Sequence, residues 1–343
     1  MIKFFKIILS LLLSLVVIIF IGIIFAYISV WPSVWATRWA FSLTSYKRDE
    51  NYLSIENNVI VSEEYTYESD HGKNTFNIIY PKETNQALKT IIWVHGGAFI
   101  AGDKKDVQEY MVVLANQGYA IVNMNYQLGP KAKYPTPLIQ INELYQHLEK
   151  NAKKYSMIDT KNIVLAGDSA GAHIIAQYTL IQTNPEYADL VKITPMINPS
   201  YIDSVILFCG PYDFQTLSHM FKTTKTPTSI LNNIVSFLAK RIGTAYLGDK
   251  NWQTSNKWDE LTIKDYLTEA FPKTFLTDGK KYSFEQQGKE LVTKMKEKGI
   301  EVTDIFYEAE LTHEYQFNLG TIHEDGNNYA QMTFEQLKIF LKD

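Results

Sequence analysis

The sequence has little cysteine and no large excess of charge of either sign. Cys209 is the only cysteine among the 343 residues, so the chain cannot form an intramolecular disulfide. Lysine and arginine number 33 against 37 acidic residues, which gives a formal net charge of −4. Nucleic-acid-binding surfaces concentrate positive charge on one face. Since the lysines here are dispersed among acids, we expect no nucleic acid among the partners.

Internal repeats and low-complexity tracts are also absent from the sequence. Their absence argues against a repeat architecture and against a disordered chain. Hydrophobic residues make up 46% of the chain and charged residues 20%, which is typical of a globular protein with a substantial core. Roughly 290 residues follow the N-terminal region, enough for one large α/β domain.

Charge is missing altogether from Ile7 to Ile28, and these 22 residues match the hydrocarbon thickness of a bilayer. A cleaved signal peptide is one alternative, but its apolar region is normally about 7–15 residues long. A buried helix of a soluble domain is another, although such helices rarely lack polar residues over this length. We therefore expect residues 1–28 to form an uncleaved transmembrane anchor.

The basic residues around this span bear on its orientation. Lys3 and Lys6 precede it, and the positive-inside rule then predicts a cytoplasmic N-terminus and an extracellular position for the domain that follows. Arg38, Lys47 and Arg48 follow the span at a distance and oppose that prediction. We therefore expect a single-pass membrane protein whose main domain lies outside the cell.

Residues 29–60 show no clear periodicity and are predicted to form a juxtamembrane connector. Trp31, Trp35 and Trp39 lie where an interfacial aromatic belt is expected. One globular domain is predicted for residues 61–343.

Short β-branched runs alternate with helical patterns beyond residue 60. The predicted strands are Thr90–Val94, Ala120–Met124, Ile163–Ala166, Val205–Phe208, Thr274–Thr277 and Thr303–Tyr307. The predicted helices are Lys105–Gln117, Gln140–Tyr155, Ala170–Gln182 and Phe284–Lys298. This alternation predicts an α/β fold with a mostly parallel central sheet and helices on both faces.

The segment from residue 214 to 270 is too long for a simple connection, and its apolar residues recur at helical spacing. Two interpretations remain open. The segment forms a helical cap over the carboxyl edge of the sheet, or it forms surface helices that extend the domain.

A nucleophile motif follows the strand that ends at Ala166. Gly167-Asp-Ser169-Ala-Gly171 has the form G-x-S-x-G, and a helical run begins directly after it. In such a turn the serine takes a strained backbone conformation, and the flanking glycines let strand and helix approach each other. Ser169 is therefore the predicted nucleophile. The alternative is a glycine-rich turn with an ordinary capping serine.

A second glycine motif, His95-Gly-Gly-Ala-Phe99, directly follows the strand Thr90–Val94. An attacking serine needs N–H donors for the oxyanion that forms on the carbonyl, and glycines let backbone N–H groups point into a site. We expect the oxyanion hole to comprise the N–H groups of Gly96, Gly97 and Ala170.

These two motifs, with Tyr126 and the stretch from Pro130 to Tyr134-Pro135 between them, resemble the bacterial esterase/lipase family that is similar to hormone-sensitive lipase. The similarity extends over about residues 60–343, and the two glycine motifs are specific in combination. The resemblance implies the α/β-hydrolase fold and hydrolysis of carboxylic esters without a metal or organic cofactor. Gly129 stands where many family members have alanine.

The histidine base follows the last strand in this fold. Leu311-Thr-His313-Glu-Tyr315 comes at the right distance after Thr303–Tyr307 and resembles the family's His-Gly-Phe ending. His313 is therefore the predicted base, whereas His95 and His173 are expected to have local packing roles.

The acid of the triad is less clear from the sequence. Family members usually carry aspartate about three residues beyond the seventh strand, where this chain has Lys280-Lys-Tyr-Ser283. Asp278 is the first candidate, at the end of the strand Thr274–Thr277. Glu285 is the second and Asp213 the third; a helix N-terminus and a turn, respectively, would explain them equally well.

The predicted chemistry is acyl transfer from a small-molecule ester to Ser169, with His313 as general base. An acyltransferase or a peptidase uses the same triad. A catalytically inactive hydrolase that acts as a surface binding module is the alternative from another class, and it is favoured only by the displaced acid.

Overall fold

The computed structural model describes residues 2–216, 230–254 and 257–342. Part of the segment predicted to form a cap, residues 217–229, 255 and 256, lies outside the described residues. The side chains of Ile230, Leu231, Ile234 and Val235, which suggested a helix there, also lie outside them.

The described chain contains a nine-stranded mixed sheet with the order β1-β3-β5-β4-β6-β7-β8-β9, and β2 pairs with β3. The strands are β1 (Val59–Val61), β2 (Tyr65–Thr66), β3 (Thr75–Pro81), β4 (Leu88–Val94), β5 (Ala120–Met124), β6 (Ile158–Asp168), β7 (Ile202–Phe208), β8 (Thr274–Thr277) and β9 (Val302–Ile305). From β5 to β9 all neighbours are parallel, whereas β1, β2 and β5 pair antiparallel with β3. The predicted mostly parallel sheet is confirmed.

Helices cover the sheet on both faces. The helices in the described residues are α1 (Ile2–Ile28), α2 (Trp31–Ser42), α3 (Tyr52–Glu56), α4 (Gln108–Ala115), α5 (Thr136–Lys150), α6 (Ala170–Thr183), α7 (Pro185–Val191), α8 (Ile230–Leu247), α9 (Lys257–Leu261), α10 (Glu285–Glu297) and α11 (Tyr329–Lys342). Of these, α1 contributes no residue to the hydrophobic core clusters. One core cluster joins the sheet to α5, α6 and α10, and a second joins it to α4 and α11. Ile91 and Trp93 face the second cluster while Ile92 and Val94 face the first, as the two-residue period of a strand requires.

Residues 29–60, predicted to lack regular structure, contain α2 and α3, and β1 starts at Val59. The α2 sequence gives no amphipathic signal because both of its faces carry large apolar side chains. Arg38 fixes α2 to the domain: its Nε donates to the Ile100 carbonyl at 2.7 Å and its Nη2 to the Gly129 carbonyl at 3.2 Å.

The described part of residues 214–270 is largely helical and lies close to the site described below. The backbone N–H of Tyr134 donates to the Tyr246 carbonyl of α8 at 2.8 Å, and Trp252 donates from Nε1 to the Lys240 carbonyl at 2.9 Å. Leu261 and Ile263 are buried in the first core cluster and so fix the end of this segment to the domain.

Candidate active site

Ser169 occupies the turn between β6 and α6 and has φ +50°, a conformation that residues with a Cβ rarely adopt. Its backbone N–H donates to the Phe208 carbonyl at the end of β7, at 2.7 Å. A Cβ at Gly171 would overlap the Val94 carbonyl oxygen, which explains why this position requires glycine. The strained turn thus holds the Ser169 side chain at the carboxyl edge of the sheet.

His313 lies beside Ser169 although 144 residues separate them, and its Nε2 is 2.9 Å from Ser169 Oγ. The loop after β9 carries it there and ends in a short 3₁₀ turn, Tyr315–Phe317. Glu314 has φ +60° and stands where the family's His-Gly-Phe pattern has glycine. That backbone conformation explains the family's glycine.

Ser283 connects His313 to Asp278 and was missed in the sequence. Ser283 Oγ is 2.6 Å from His313 Nδ1 and also forms a hydrogen bond with Asp278 Oδ1. A hydroxyl has one proton to give, and an ionised Asp278 only accepts. Ser283 therefore donates to Asp278 and accepts from the Nδ1–H of His313. This leaves Nε2 unprotonated toward Ser169.

Asp278 is buried, with 2% of its surface exposed. It also accepts hydrogen bonds from the N–H groups of Gly279 at 2.7 Å and Phe284 at 3.1 Å. Burial raises the pKa of Asp278 to about 6, and the nearby His313 and Ser283 oppose that rise. The carboxylate is therefore charged at neutral pH and lies one hydroxyl away from the imidazole.

The two other candidate acids have partners elsewhere. Glu285, the first residue of α10, pairs with Lys289 at 2.8 Å. Asp213 pairs with Lys264 at 2.5 Å and accepts from the Thr216 hydroxyl at 2.8 Å. Of the three candidates, the structure brings only Asp278 into a hydrogen-bond chain with His313.

Two free N–H groups lie at the site, one on the loop after β4 and one at the start of α6. Gly97 has φ +112°, and a Cβ there would overlap the Ala101 carbonyl. In the described part of the chain, the N–H groups of Gly97 and Ala170 have no protein acceptor. Both are therefore available to a bound oxyanion.

The N–H of Gly96 was predicted to be an oxyanion donor, but the structure shows that it has another partner. Its N–H donates to Asp168 Oδ2 at 2.7 Å, so it is already occupied by a carboxylate and does not point into the site as a free donor. The sequence motif marks a glycine-rich loop, but it does not specify which of the N–H groups are used within the protein.

Asp168 anchors the loop after β4 through a network of hydrogen bonds that the sequence did not indicate. Its Oδ1 accepts from Trp93 Nε1 at 2.7 Å, and its carboxyl group neighbours that of Glu314, which accepts from the Tyr46 hydroxyl. Burial and the Glu314 carboxylate raise the pKa of Asp168 well above its usual range. The adjacent Glu314 and the burial thus favour the protonated form of Asp168.

Glu314 is also close to His313, with its Oε1 3.7 Å from Nε2. That nitrogen is the one that faces Ser169. Glu314 therefore does not bind the Nδ1–H, which is the position of a triad acid.

Two other histidines take part in local packing. His95 Nδ1 is 2.6 Å from the Gly96 carbonyl and its ring stacks on Tyr126. His173 Nδ1 is 2.6 Å from the Pro211 carbonyl. Burial lowers the pKa of each to about 4, so both rings are neutral at physiological pH.

Cys209 lies beneath the site, directly after β7. Potential ligand atoms of Cys209, Asp278 and His313 come within 4.8 Å of one another. Burial raises the pKa of the Cys209 thiol well above its usual range, and the thiolate is the form that binds metals. We therefore assign Asp278 and His313 to the hydrogen-bond chain and Cys209 to the core.

An apolar cavity of about 170 Å³ opens beside Ser169. Its walls come from the loop after β4, from the start of α6 and from α8, and they are mostly alanine, isoleucine and aromatic side chains. Ala98, Phe99, Ile242, Tyr246 and Phe284 are among them. The cavity is shaped for a short apolar group next to the serine.

Comparisons with known proteins place the chain in a family. The BD-FAE family model matches residues 76–295, which include Ser169, Asp278 and Ser283 but end before His313. A putative alpha/beta hydrolase of Acanthamoeba polyphaga mimivirus is 26% identical over 164 residues, 46% of this chain and 44% of that protein. The acetyl esterase of Salmonella enteritidis is 33% identical over 103 residues, 30% of this chain and 31% of that protein. The chain thus aligns with less than half the length of these relatives.

Solved structures share the fold. Esterase B from Lactobacillus rhamnosis superposes with a TM-score of 0.66 at 22% identity, over 90% of this chain and 91% of that one. A bacterial heroin esterase superposes with a TM-score of 0.62 at 18% identity, over 90% and 96%. With the family model matching well over half of the chain, this chain belongs to the BD-FAE family of α/β-hydrolases.

Proposed function

We propose that the chain is a serine carboxylesterase that hydrolyses acetyl or other short-chain esters through an acyl-enzyme on Ser169. The observation that carries the proposal is the 2.9 Å contact between Ser169 Oγ and His313 Nε2 at the turn of a G-x-S-x-G motif. The similarity to an acetyl esterase supports the substrate class. The small apolar cavity beside Ser169 fits a short acyl group.

In the first half of the reaction His313 Nε2 takes the proton of Ser169 as Oγ attacks the ester carbonyl. The N–H groups of Gly97 and Ala170 stabilise the oxyanion. The ester C–O bond then breaks, and the leaving alcohol takes the proton from His313. Water hydrolyses the acyl-enzyme by the same steps in reverse and restores Ser169.

Asp278 is the proposed acid, and it acts through Ser283. The hydroxyl of Ser283 accepts from Nδ1–H and donates to the carboxylate, so it keeps the imidazole in the tautomer that accepts a proton at Nε2. The negative charge of Asp278 lies close enough to stabilise the imidazolium of His313, because a carboxylate oxygen and a ring nitrogen are within 4.8 Å of each other.

The N-terminal helix gives the proposed location. The segment Lys3–Ile28 is 26 residues long with a mean hydropathy of 3.3, and none of its most apolar window is buried. We propose that α1 spans a membrane once, with the catalytic domain outside, and that α8 belongs to a cap over the site. Lys3 and Lys6 support this orientation.

The test uses the full chain in detergent micelles with p-nitrophenyl acetate and p-nitrophenyl butyrate as substrates. Wild type should hydrolyse both and react with a fluorophosphonate probe. Ser169→Ala should lose about 10⁶-fold in kcat, as in other serine hydrolases, and should not be labelled. Ser200→Ala, a change at an exposed serine, is the matched control and should keep full activity. A folded wild type that is inert to esters and unlabelled would contradict the proposal and favour a binding module.

A further inference from the structure

The membrane end of α1 is fastened to the helix that lines the cavity. The last carbonyls of a helix have no partner within it, and here Arg241 of α8 supplies one. Its Nη2 donates to the Ala26 carbonyl at 3.1 Å and to the Ser29 carbonyl, and the residue is only 9% exposed. The end of the proposed membrane span is therefore held against α8.

The wall of the cavity is in contact with the segment that follows α1. Ile242 of α8 and Ala98 of the oxyanion loop both line the cavity. The same two residues belong to a hydrophobic cluster with Val30, Trp31 and Val34. One layer of side chains thus separates the cavity from the start of α2.

The outward face of α2 is apolar and exposed. Trp35 is 56% exposed, Trp39 67% and Leu43 65%, while Arg38, on an adjacent side of the helix, donates hydrogen bonds to the domain. Trp35 also lies beside Phe25 of α1, with ring centroids 6.3 Å apart. An exposed tryptophan face that continues directly from a membrane span matches the interfacial layer of a bilayer, so a lipid surface is the occupant that this face fits.

The size of the cavity limits what enters it. At about 170 Å³ it is similar to the roughly 150 Å³ cavity that holds benzene in another protein, which leaves room for about six carbon atoms. An acyl group of about that size fits against the described walls of the cavity. A long apolar alcohol part has a place in the neighbouring bilayer.

We infer, on the basis of the proposed esterase activity, that Ser169 receives its ester from the bilayer surface. The substrate class is an amphiphilic ester with a short apolar acyl group and an alcohol part that resides in the membrane. The acyl group is transferred to Ser169 and then to water, and the alcohol, protonated by His313, remains in the bilayer.

The experiment places the full-length protein in phosphatidylcholine vesicles with hexadecyl butyrate, whose alkyl chain confines it to the bilayer. The released butyrate is measured. We expect hydrolysis when ester and enzyme share vesicles and none when the ester is in separate vesicles. Halving the mole fraction of ester with added phosphatidylcholine should halve the rate, while hydrolysis of dissolved p-nitrophenyl acetate should not change.

The two substrates separate the possible failures. If p-nitrophenyl acetate is hydrolysed but hexadecyl butyrate in the same vesicles is not, the membrane supply is wrong and the esterase proposal stands. If neither ester is hydrolysed by folded protein, the esterase proposal itself fails.

A surface variant tests whether the α2 face carries this effect. Trp35→Glu puts a charge on the interfacial face and should lower hydrolysis of hexadecyl butyrate severalfold without changing that of p-nitrophenyl acetate. Ile339→Glu is the matched control, since Ile339 is an equally exposed apolar residue on α11, which does not line the cavity. Equal effects of the two variants would overturn the role of α2.

Discussion

Asp168 and Asp278 are equally buried aspartates, each 2% exposed. In the chain, one precedes and the other follows Ser169. Asp168 precedes the nucleophile in the chain, but its carboxyl group faces Trp93 and Gly96 and supports the oxyanion loop. Asp278 lies 109 residues away from Ser169, yet its carboxylate joins the chain that reaches His313. The difference shows that partners, rather than burial or proximity in sequence, decide what a buried carboxylate does. Asp168 shares its environment with a second acid, whereas Asp278 is surrounded by donors.

Among changes to these carboxyl groups and their partners, the largest expected effect comes from Asp278→Asn. The variant should lose about 10³- to 10⁴-fold in kcat, because an amide neither carries the charge that stabilises the imidazolium nor fixes its tautomer. Steady-state hydrolysis of p-nitrophenyl acetate measures it. Glu285→Gln is the matched control, since Glu285 pairs with Lys289, and it should stay close to wild type. A larger loss in Glu285→Gln than in Asp278→Asn would identify Glu285 as the acid.

The next effect is a dependence of stability on pH. Burial raises the pKa of Asp278 from 3.8 to about 6, so the folded protein holds a proton that the unfolded chain has released. The resulting stabilisation is fully present below about pH 4 and is lost as the pH rises through about 6. A rise of the pKa from 3.8 to about 6 corresponds to about 3 kcal/mol of stability.

Denaturant unfolding of wild type and Asp278→Asn across this pH range checks the shift. The free energy of unfolding of wild type should rise relative to that of the variant as the pH falls from about 7 to about 4. The other carboxylates cancel in the difference. A difference that does not change with pH would show that burial of Asp278 does not raise its pKa.

Ser283→Ala should have a smaller effect, because the charge of Asp278 remains. Loss of a hydrogen bond to a charged imidazole costs about 1.5–3 kcal/mol, or roughly 10- to 100-fold in kcat, with KM unchanged. Ser283→Thr keeps the hydroxyl and should restore most of the rate. If Thr is as slow as Ala, or if Ala is as fast as wild type, the hydroxyl does not connect the acid to His313.

Glu314→Gln should have the smallest effect. Its amide can donate to Asp168 and accept from the Tyr46 hydroxyl, so a hydrogen bond replaces the contact between the two carboxyl groups. Such a bond is worth about 0.5–1.5 kcal/mol, and kcat/KM should change less than about tenfold. A loss as large as that of Asp278→Asn would instead show that Glu314 has a direct catalytic role.

The parallel part of the fold was predictable, whereas its antiparallel edge was not. The strands β4 to β9 are apolar runs bounded by turns and helices, and the predicted runs fall on them, with ends that differ by up to a few residues. β1 and β2 are two or three residues long, and β3 is interrupted by the polar Asn77, so none of them produces a clear strand pattern. The two helices within residues 29–60 were missed because packing on the domain, rather than an amphipathic pattern, orients α2.

Within the candidate site, the nucleophile and the histidine were placed by local motifs, and the structure brings them together. Gly96 was predicted as an oxyanion donor, but its N–H is used by Asp168. Ser283 lies within the very stretch where aspartate was expected and was passed over, because a serine in a loop has no sequence signal for such a contact. The catalytic roles of Asp278, Gly97 and Ala170 are predictions, and Asp278→Asn tests the first of them.

The sequence by itself determined the nucleophile turn and the oxyanion loop, because glycine and backbone strain are local requirements that a few consecutive residues must satisfy. The tertiary structure was needed to show which carboxylate connects to His313, because Asp278 and Ser283 lie on the loop after β8 whereas His313 lies on the loop after β9. It also decided that the cavity adjoins the end of α1. Contacts of this kind depend on how the elements pack, and spacing along the chain does not record them.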